Sequence, residues 1–176
     1  MAMAQKKSVP LKTKLIAFLT DYHENTVNDL REANTQYITK DIDHDGIAEI
    51  IVKEYNATTF ILSNAGGKLS ILTERTSPDE HFRISDDGFI VCEMEKSYIN
   101  ATTVIKLKKS KIADIATMSM EHMEIIGEDG EVEYDENIEK SDNFDELQPK
   151  GELTYTYDLD DWKPLFTATA KNNARR

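Results

Sequence analysis

The sequence predicts an α+β domain, with an N-terminal helix packed on an antiparallel β-meander of about seven to nine strands. Three observations lead there. Leu11, Leu15, Phe18, Leu19 and Tyr22 recur at helical spacing. From Gln36 onward the hydrophobic period changes to two. Turn signals such as Asn64-Ala65-Gly66-Gly67 and Asp86-Asp87-Gly88 then punctuate the chain. At 176 residues the chain suffices for one domain with a real core. That domain is placed at 10–169, with 1–9 a disordered N-terminus and 170–176 a disordered tail.

The elements follow in order. Pro10 suits the first turn of a helix, which is read to Tyr22, with an extension through Val27 and Leu30 toward Glu32. Its apolar stripe should cover one face of the sheet. A membrane-surface helix is the alternative, but acidic residues further on balance Lys12 and Lys14, which favours packing. Segments 36–41 and 49–53 are strands joined by an acidic loop. Segments 58–63 and 68–73, 82–85 and 89–95, and 102–108 and 111–118 make three more hairpins. Lys109-Ser110 is the weakest of the turns. From 127 to 150 acid dominates, and this stretch reads as an acidic loop, with 137–148 a short helix or loop segment and Glu128-Asp129-Gly130 as one more turn. Segment 153–157 alternates as a last strand, and Trp162, Leu165 and Phe166 pin the chain end to the core.

A repeat is visible. Asp45-Gly46 leads to Ile51-Val52 and Asn56-Ala57-Thr58-Thr59; Asp87-Gly88 leads to Ile90-Val91 and Asn100-Ala101-Thr102-Thr103. The landmarks return after about 42–44 residues, near the length of a propeller blade. Two units cannot close a propeller, so two double hairpins in one curved sheet are expected. Chance likeness between short β segments is the competing reading. In the repeat reading, Ser85-Asp86-Asp87-Gly88 is a degenerate copy of the first loop. Asn56 and Asn100 fit N-x-T glycosylation triplets, to which no function is attached.

The chemistry lies in the first loop. Residues 40–53 read KDIDHDGIAEIIVK. Asp41, Asp43 and Asp45 take positions 1, 3 and 5, and Gly46 takes position 6. A hard cation such as calcium needs oxygens converging from a short loop, and glycine lets the chain turn sharply beneath it. The Ile47 carbonyl at position 7 and the Glu49 carboxylate at position 9, direct or through a water, complete the expected set. Val52 stands at position 12, where an EF-hand has its bidentate glutamate. The β-branched residues after the loop suit a strand rather than a helix.

The pattern looks like the D-x-D-x-D-G-x-x-D/E calcium loops that lead into strands in integrin-type propeller repeats. More closely, a helix followed by Y-x-x-x-D-I-D-x-D-G-x-x-E-I/L-I-I/V and then hairpins resembles a group of small exported proteins and lipoproteins of gut bacteria. Tyr37 to Val52 carry that resemblance. It implies this fold, export and calcium. The group has no established common activity.

Two other readings of the loop fit its residues less well. An acidic turn that binds nothing does not require three alternating aspartates and a glutamate, whose charges repel. A haloacid-dehalogenase-like phosphatase also carries D-x-D after a strand. It then has Thr or Val and an α/β domain, whereas Asp45 and hairpins follow here.

The formal net charge of -12 argues against nucleic acid and against an anionic membrane surface. It suits a cation or a basic protein partner, and keeping the protein dissolved is its simplest use. Cys92 is the only cysteine, so neither an intrachain disulfide nor a Cys-rich zinc site is available. Within its apolar run it is expected to be buried. No run is long and apolar enough to span a bilayer. Ala2-Met3-Ala4 before Gln5 has the small-x-small pattern that ends a secretory signal, without the apolar core of one. Two readings fit it: the end of a removed signal, or an ordinary disordered N-terminus. Export to the periplasm, cell surface or medium is expected, where calcium is higher.

The four histidines, His23, His44, His81 and His122, form no H-E-x-x-H motif, and there is no G-x-S-x-G elbow or phosphate loop. His44, at loop position 4, is expected to point into solvent. The preferred function is an exported, non-enzymatic calcium-binding module with a structural ion. The alternative is an acidic inhibitor or immunity protein against a basic toxin or lysozyme-like enzyme, which a protruding acidic loop would favour. A calcium-dependent hydrolase needs a cleft with two convergent carboxylates.

Overall fold

Runs such as Ile50, Ile51 and Val52 put apolar side chains on both faces of one strand, so the sheet needs cover on both sides. The computed structural model supplies both covers; it describes residues 9–23, 26–55, 57–127 and 130–167. Helices α1 (Leu11–His23) and α2 (Val27–Glu32) precede β1 (Gln36–Lys40), β2 (Glu49–Glu54), β3 (Ala57–Ser63) and β4 (Ser70–Glu74). Then come β5 (Glu80–Ser85), β6 (Phe89–Glu95), β7 (Ile99–Leu107), β8 (Ile112–Ile126) and β9 (Val132–Lys140). Short strands β10 (Leu153–Tyr155) and β11 (Lys163–Pro164) end the order.

The α+β class holds, with more strands than the sequence suggests. They form two antiparallel sheets, ordered β11-β1-β2-β3-β4 and β10-β5-β6-β7-β8-β9. The expected single curved sheet is therefore corrected: each double hairpin builds its own sheet. The chain breaks between them at Thr76-Ser77-Pro78-Asp79. Pro78 has no N–H to continue a ladder, and the Glu80 carboxylate accepts the N–H groups of Thr76 at 2.6 Å and Ser77 at 3.3 Å. The two sheets share a layout. In each, the first meander strand gains a C-terminal neighbour, β11 beside β1 and β10 beside β5.

The packing has three apolar layers. Leu15 and Leu19 of α1 meet Tyr37, Ile50, Val52, Phe60 and Leu62 of the first sheet. Ile51, Ile61 and Leu72 on its other face meet Phe82, Ile84, Ile90 and Ile105 of the second. The outer face of the second sheet, with Phe89, Val91, Val104 and Ala116, is closed by Phe144. Each large apolar side chain so buried contributes roughly 1.5–3 kcal/mol relative to exposure.

The expected helix is two helices. Thr26 caps α2, accepting the Asp29 N–H at 3.3 Å while Asp29 accepts the Thr26 N–H at 2.6 Å. Leu30 is buried beneath it, and Val27 is exposed. At the chain end Leu165 is buried, Phe166 packs on the first core, and Trp162 packs between the sheets under Lys53.

The acidic stretch 127–150 is also corrected. Val132–Lys140 is a strand paired along its length with β8, which runs on to Ile126. Its described side chains, Val132 and those of 135–140, are all exposed, so the periodic signal is missing. The expectations for 1–8, Asn56, Glu128, Asp129 and the 170–176 tail lie outside the described residues.

Candidate metal centre

The acidic loop spans the end of β1 and the start of β2, where Lys40 pairs with Glu49. Asp41 follows β1 directly, and Glu49 is the first residue of β2. Both Asp41 oxygens are held by the loop itself. Oδ1 accepts the Asp45 N–H at 3.1 Å and Oδ2 the Gly46 N–H at 2.9 Å. Gly46 has φ 88°, in the left-handed region where glycine is unstrained. Ile42, fully buried between the sheets, anchors the loop from below.

Asp41, Asp43 and Glu49 each present a carboxylate oxygen, and these oxygens lie within 4.8 Å of one another. Glu49 is 0% exposed. Its Oε2 accepts the Ile42 N–H at 2.9 Å, while its Oε1 is buried with no hydrogen-bond partner. Asp43 is similar: Oδ2 accepts the Ser110 N–H at 2.9 Å, and Oδ1 is buried without a partner. Two inward-facing, unsatisfied carboxylate oxygens are costly unless a cation or proton meets them. Burial pushes the Glu49 carboxyl above its ordinary value. The Ile42 N–H opposes the rise, and the Asp43 charge adds to it. The donor set is all hard oxygen, which fits a divalent metal ion of the calcium or magnesium kind.

The other two expected ligands are placed differently. Asp45 is not one of the three converging carboxylates. Its Oδ1 accepts the Ile47 N–H at 2.7 Å, and its Oδ2 accepts the Ser110 hydroxyl at 3.2 Å. The Ile47 carbonyl accepts the same hydroxyl at 3.4 Å. Ser110 thus ties together the two ligand candidates that lie outside the cluster.

Ser110 is the residue sequence reasoning missed. It is 0% exposed, in the turn between β7 and β8 of the other sheet. Lys109 and Ser110 both have positive φ, 55° and 53°. A tight turn made of non-glycine residues was the only available signal. The β5–β6 turn also meets the loop. A Cβ on Gly88, also at φ 88°, would sit 3.3 Å from the Asp43 Cα. His44 is exposed as expected, but its ring also donates Nε2–H to the Asp86 carbonyl at 2.7 Å. The segment read as a degenerate loop copy therefore buttresses the first loop.

Cys92 is half-buried between the sheets, and burial pushes its thiol up to about 12. That leaves it protonated and unreactive at neutral pH. No described helix is long and apolar enough to cross a membrane. No family model, curated protein or solved structure matches the chain.

Proposed function

We propose that this is an exported, non-enzymatic calcium-binding module whose ion is structural. One observation carries the reading: Asp43 and Glu49 each bury an unpartnered oxygen, in a cluster where they and Asp41 bring carboxylate oxygens within 4.8 Å of one another. Calcium offsets that concentrated negative charge and accepts irregular oxygen geometry, whereas magnesium demands a compact octahedron and retains its waters. Asp41, Asp43 and Glu49 would hold the ion, with Asp45 and the Ile47 carbonyl beside them.

Position supports a structural role. The loop belongs to the first sheet, and Ser110 and Gly88, which press on it, belong to the second. An ion here ties the sheets together at one end of the sandwich. Export rests on the resemblance of Tyr37 to Val52 to exported calcium-loop proteins, and on the higher calcium outside the cytosol.

The test is thermal melting with calcium, magnesium or chelator, beside an Asp43→Ala, Asp45→Ala double variant. With free calcium tenfold to a hundredfold above the dissociation constant, the wild type gains roughly 1.4–2.7 kcal/mol, and the variant gains nothing. An unchanged melt at millimolar calcium, with no ion at these carboxylates in a calcium-soaked crystal, ends the metal reading. Recovery of the native protein from the cytosolic fraction alone ends the export reading.

A further inference from the structure

Strand β9 is an edge of the second sheet, paired with β8 alone among the described residues. The β7–β8 pairing stops at Ile99 and Glu121. Beyond it, β8 and β9 leave the sheet as a two-stranded ribbon, paired to Ile126 and Val132.

The backbone phase of β9 is determined. Gly127 donates its N–H to the Glu131 carbonyl and Ser141 to the Thr117 carbonyl, both at 2.9 Å. Antiparallel bonding alternates along a strand, so residues 132, 134, 136, 138 and 140 turn their N–H and C=O groups outward. Asp135 marks that direction, because its Oδ1 accepts the Glu136 N–H at 2.9 Å.

One face of this ribbon carries apolar side chains at both ends, with His122 and Glu136 paired between them. Met118, Met120 and Ile126 oppose Lys140, Ile138 and Val132, so these side chains share a face. The same face carries Val104 and Ala116, which Phe144 covers. Further out the cover ends: Ile138 is 52%, Val132 48% and Ile126 73% exposed.

Charge selects the occupant. The strand reads VEYDENIEK, with four carboxylates and one ammonium. A second copy of this edge would bring like charges together, which acidic edges oppose. We propose that β9 receives an extended basic segment of another protein as an added strand. Outward backbone groups form the ladder. Lysine or arginine side chains meet Asp135 and Glu139, and apolar side chains at alternate positions cover Ile138 and Val132. This inference does not depend on the metal reading.

The probe is a nine-residue peptide alternating lysine with valine, beside a scrambled peptide of equal composition. Fluorescence anisotropy at physiological salt measures affinity, and hydrogen exchange reads the Val132 and Ile138 amides. The alternating peptide is expected to bind about tenfold more tightly than the scrambled one and to protect both amides. Ile138→Pro removes an outward donor without touching the β8 ladder, so it should weaken binding about tenfold. Asp135→Lys with Glu139→Lys should weaken it at least as much. Equal binding of the scrambled peptide, no binding, or no amide protection overturns strand addition. A wild-type dimer that Ile138→Pro converts to monomer makes a second copy the occupant and overturns the basic partner.

Discussion

Ser110 donates its backbone N–H to Asp43 Oδ2 at 2.9 Å across 67 residues of chain. The acidic loop of one sheet is thereby closed by a turn of the other. The Ser110 hydroxyl adds contacts to Asp45 and the Ile47 carbonyl. Loop geometry and sheet packing are therefore one problem, and each can be tested through the other.

The serine itself makes the first test. Ser110→Ala removes the hydroxyl and keeps the left-handed backbone, so it should cost about 1 kcal/mol of stability in chelator. Ser110→Gly loses the same hydroxyl but relieves strain at φ 53°. It should therefore melt higher than the alanine variant. Calcium should still raise both melts, because the three converging carboxylates remain. An alanine variant as stable as wild type would show that the hydroxyl holds nothing.

Gly46 and Gly88 share φ 88°, but their surroundings differ. A Cβ on Gly46 has nothing within 4 Å, so Gly46→Ala carries backbone strain alone, about 1 kcal/mol. A Cβ on Gly88 meets the Asp43 Cα and Cβ at 3.3 Å, so Gly88→Ala adds a clash with the loop. Melting in chelator should rank wild type above Gly46→Ala and Gly46→Ala above Gly88→Ala. Both variants should shrink the calcium increment, the first by distorting the turn and the second by displacing Asp43. A reversed order of melts would contradict the contact.

Glu49 gives the pH dependence. Its pKa is raised by burial, so the fold favours the protonated form. Stability from this group is complete below the ordinary value of 4.5 and is lost as pH rises through the folded value. Without metal, Glu49→Gln escapes that loss and should melt at or above wild type at pH 7. Calcium reverses the order, because the ion needs the ionised carboxylate and glutamine offers only a neutral oxygen. Melts from pH 4 to pH 8, with calcium and with chelator, check both signs. A Gln variant that keeps the full calcium gain would remove Glu49 from the site.

What the sequence determined by itself was local. The alternation of Asp41, Asp43 and Asp45 before Gly46 named the loop, because ligand spacing and turn chemistry act over a few residues. The helical stripe and the hairpin turns followed for the same reason. Ile50, Ile51 and Val52 are buried on both faces of their strand, and the sequence reading accounted for a cover on one face only. Only the tertiary structure decided that the two double hairpins stack as separate sheets. Packing then buried Glu49 and one oxygen of Asp43 and left an oxygen of each unpartnered, a consequence of distant chain segments meeting. It also brought Ser110 and Gly88 onto the loop, contacts whose sequence separation leaves no periodic trace. Strand β9 was hidden because an exposed edge strand has no buried face to pattern. Its identity comes from the hydrogen-bonding partner beside it, and pairing is a tertiary property.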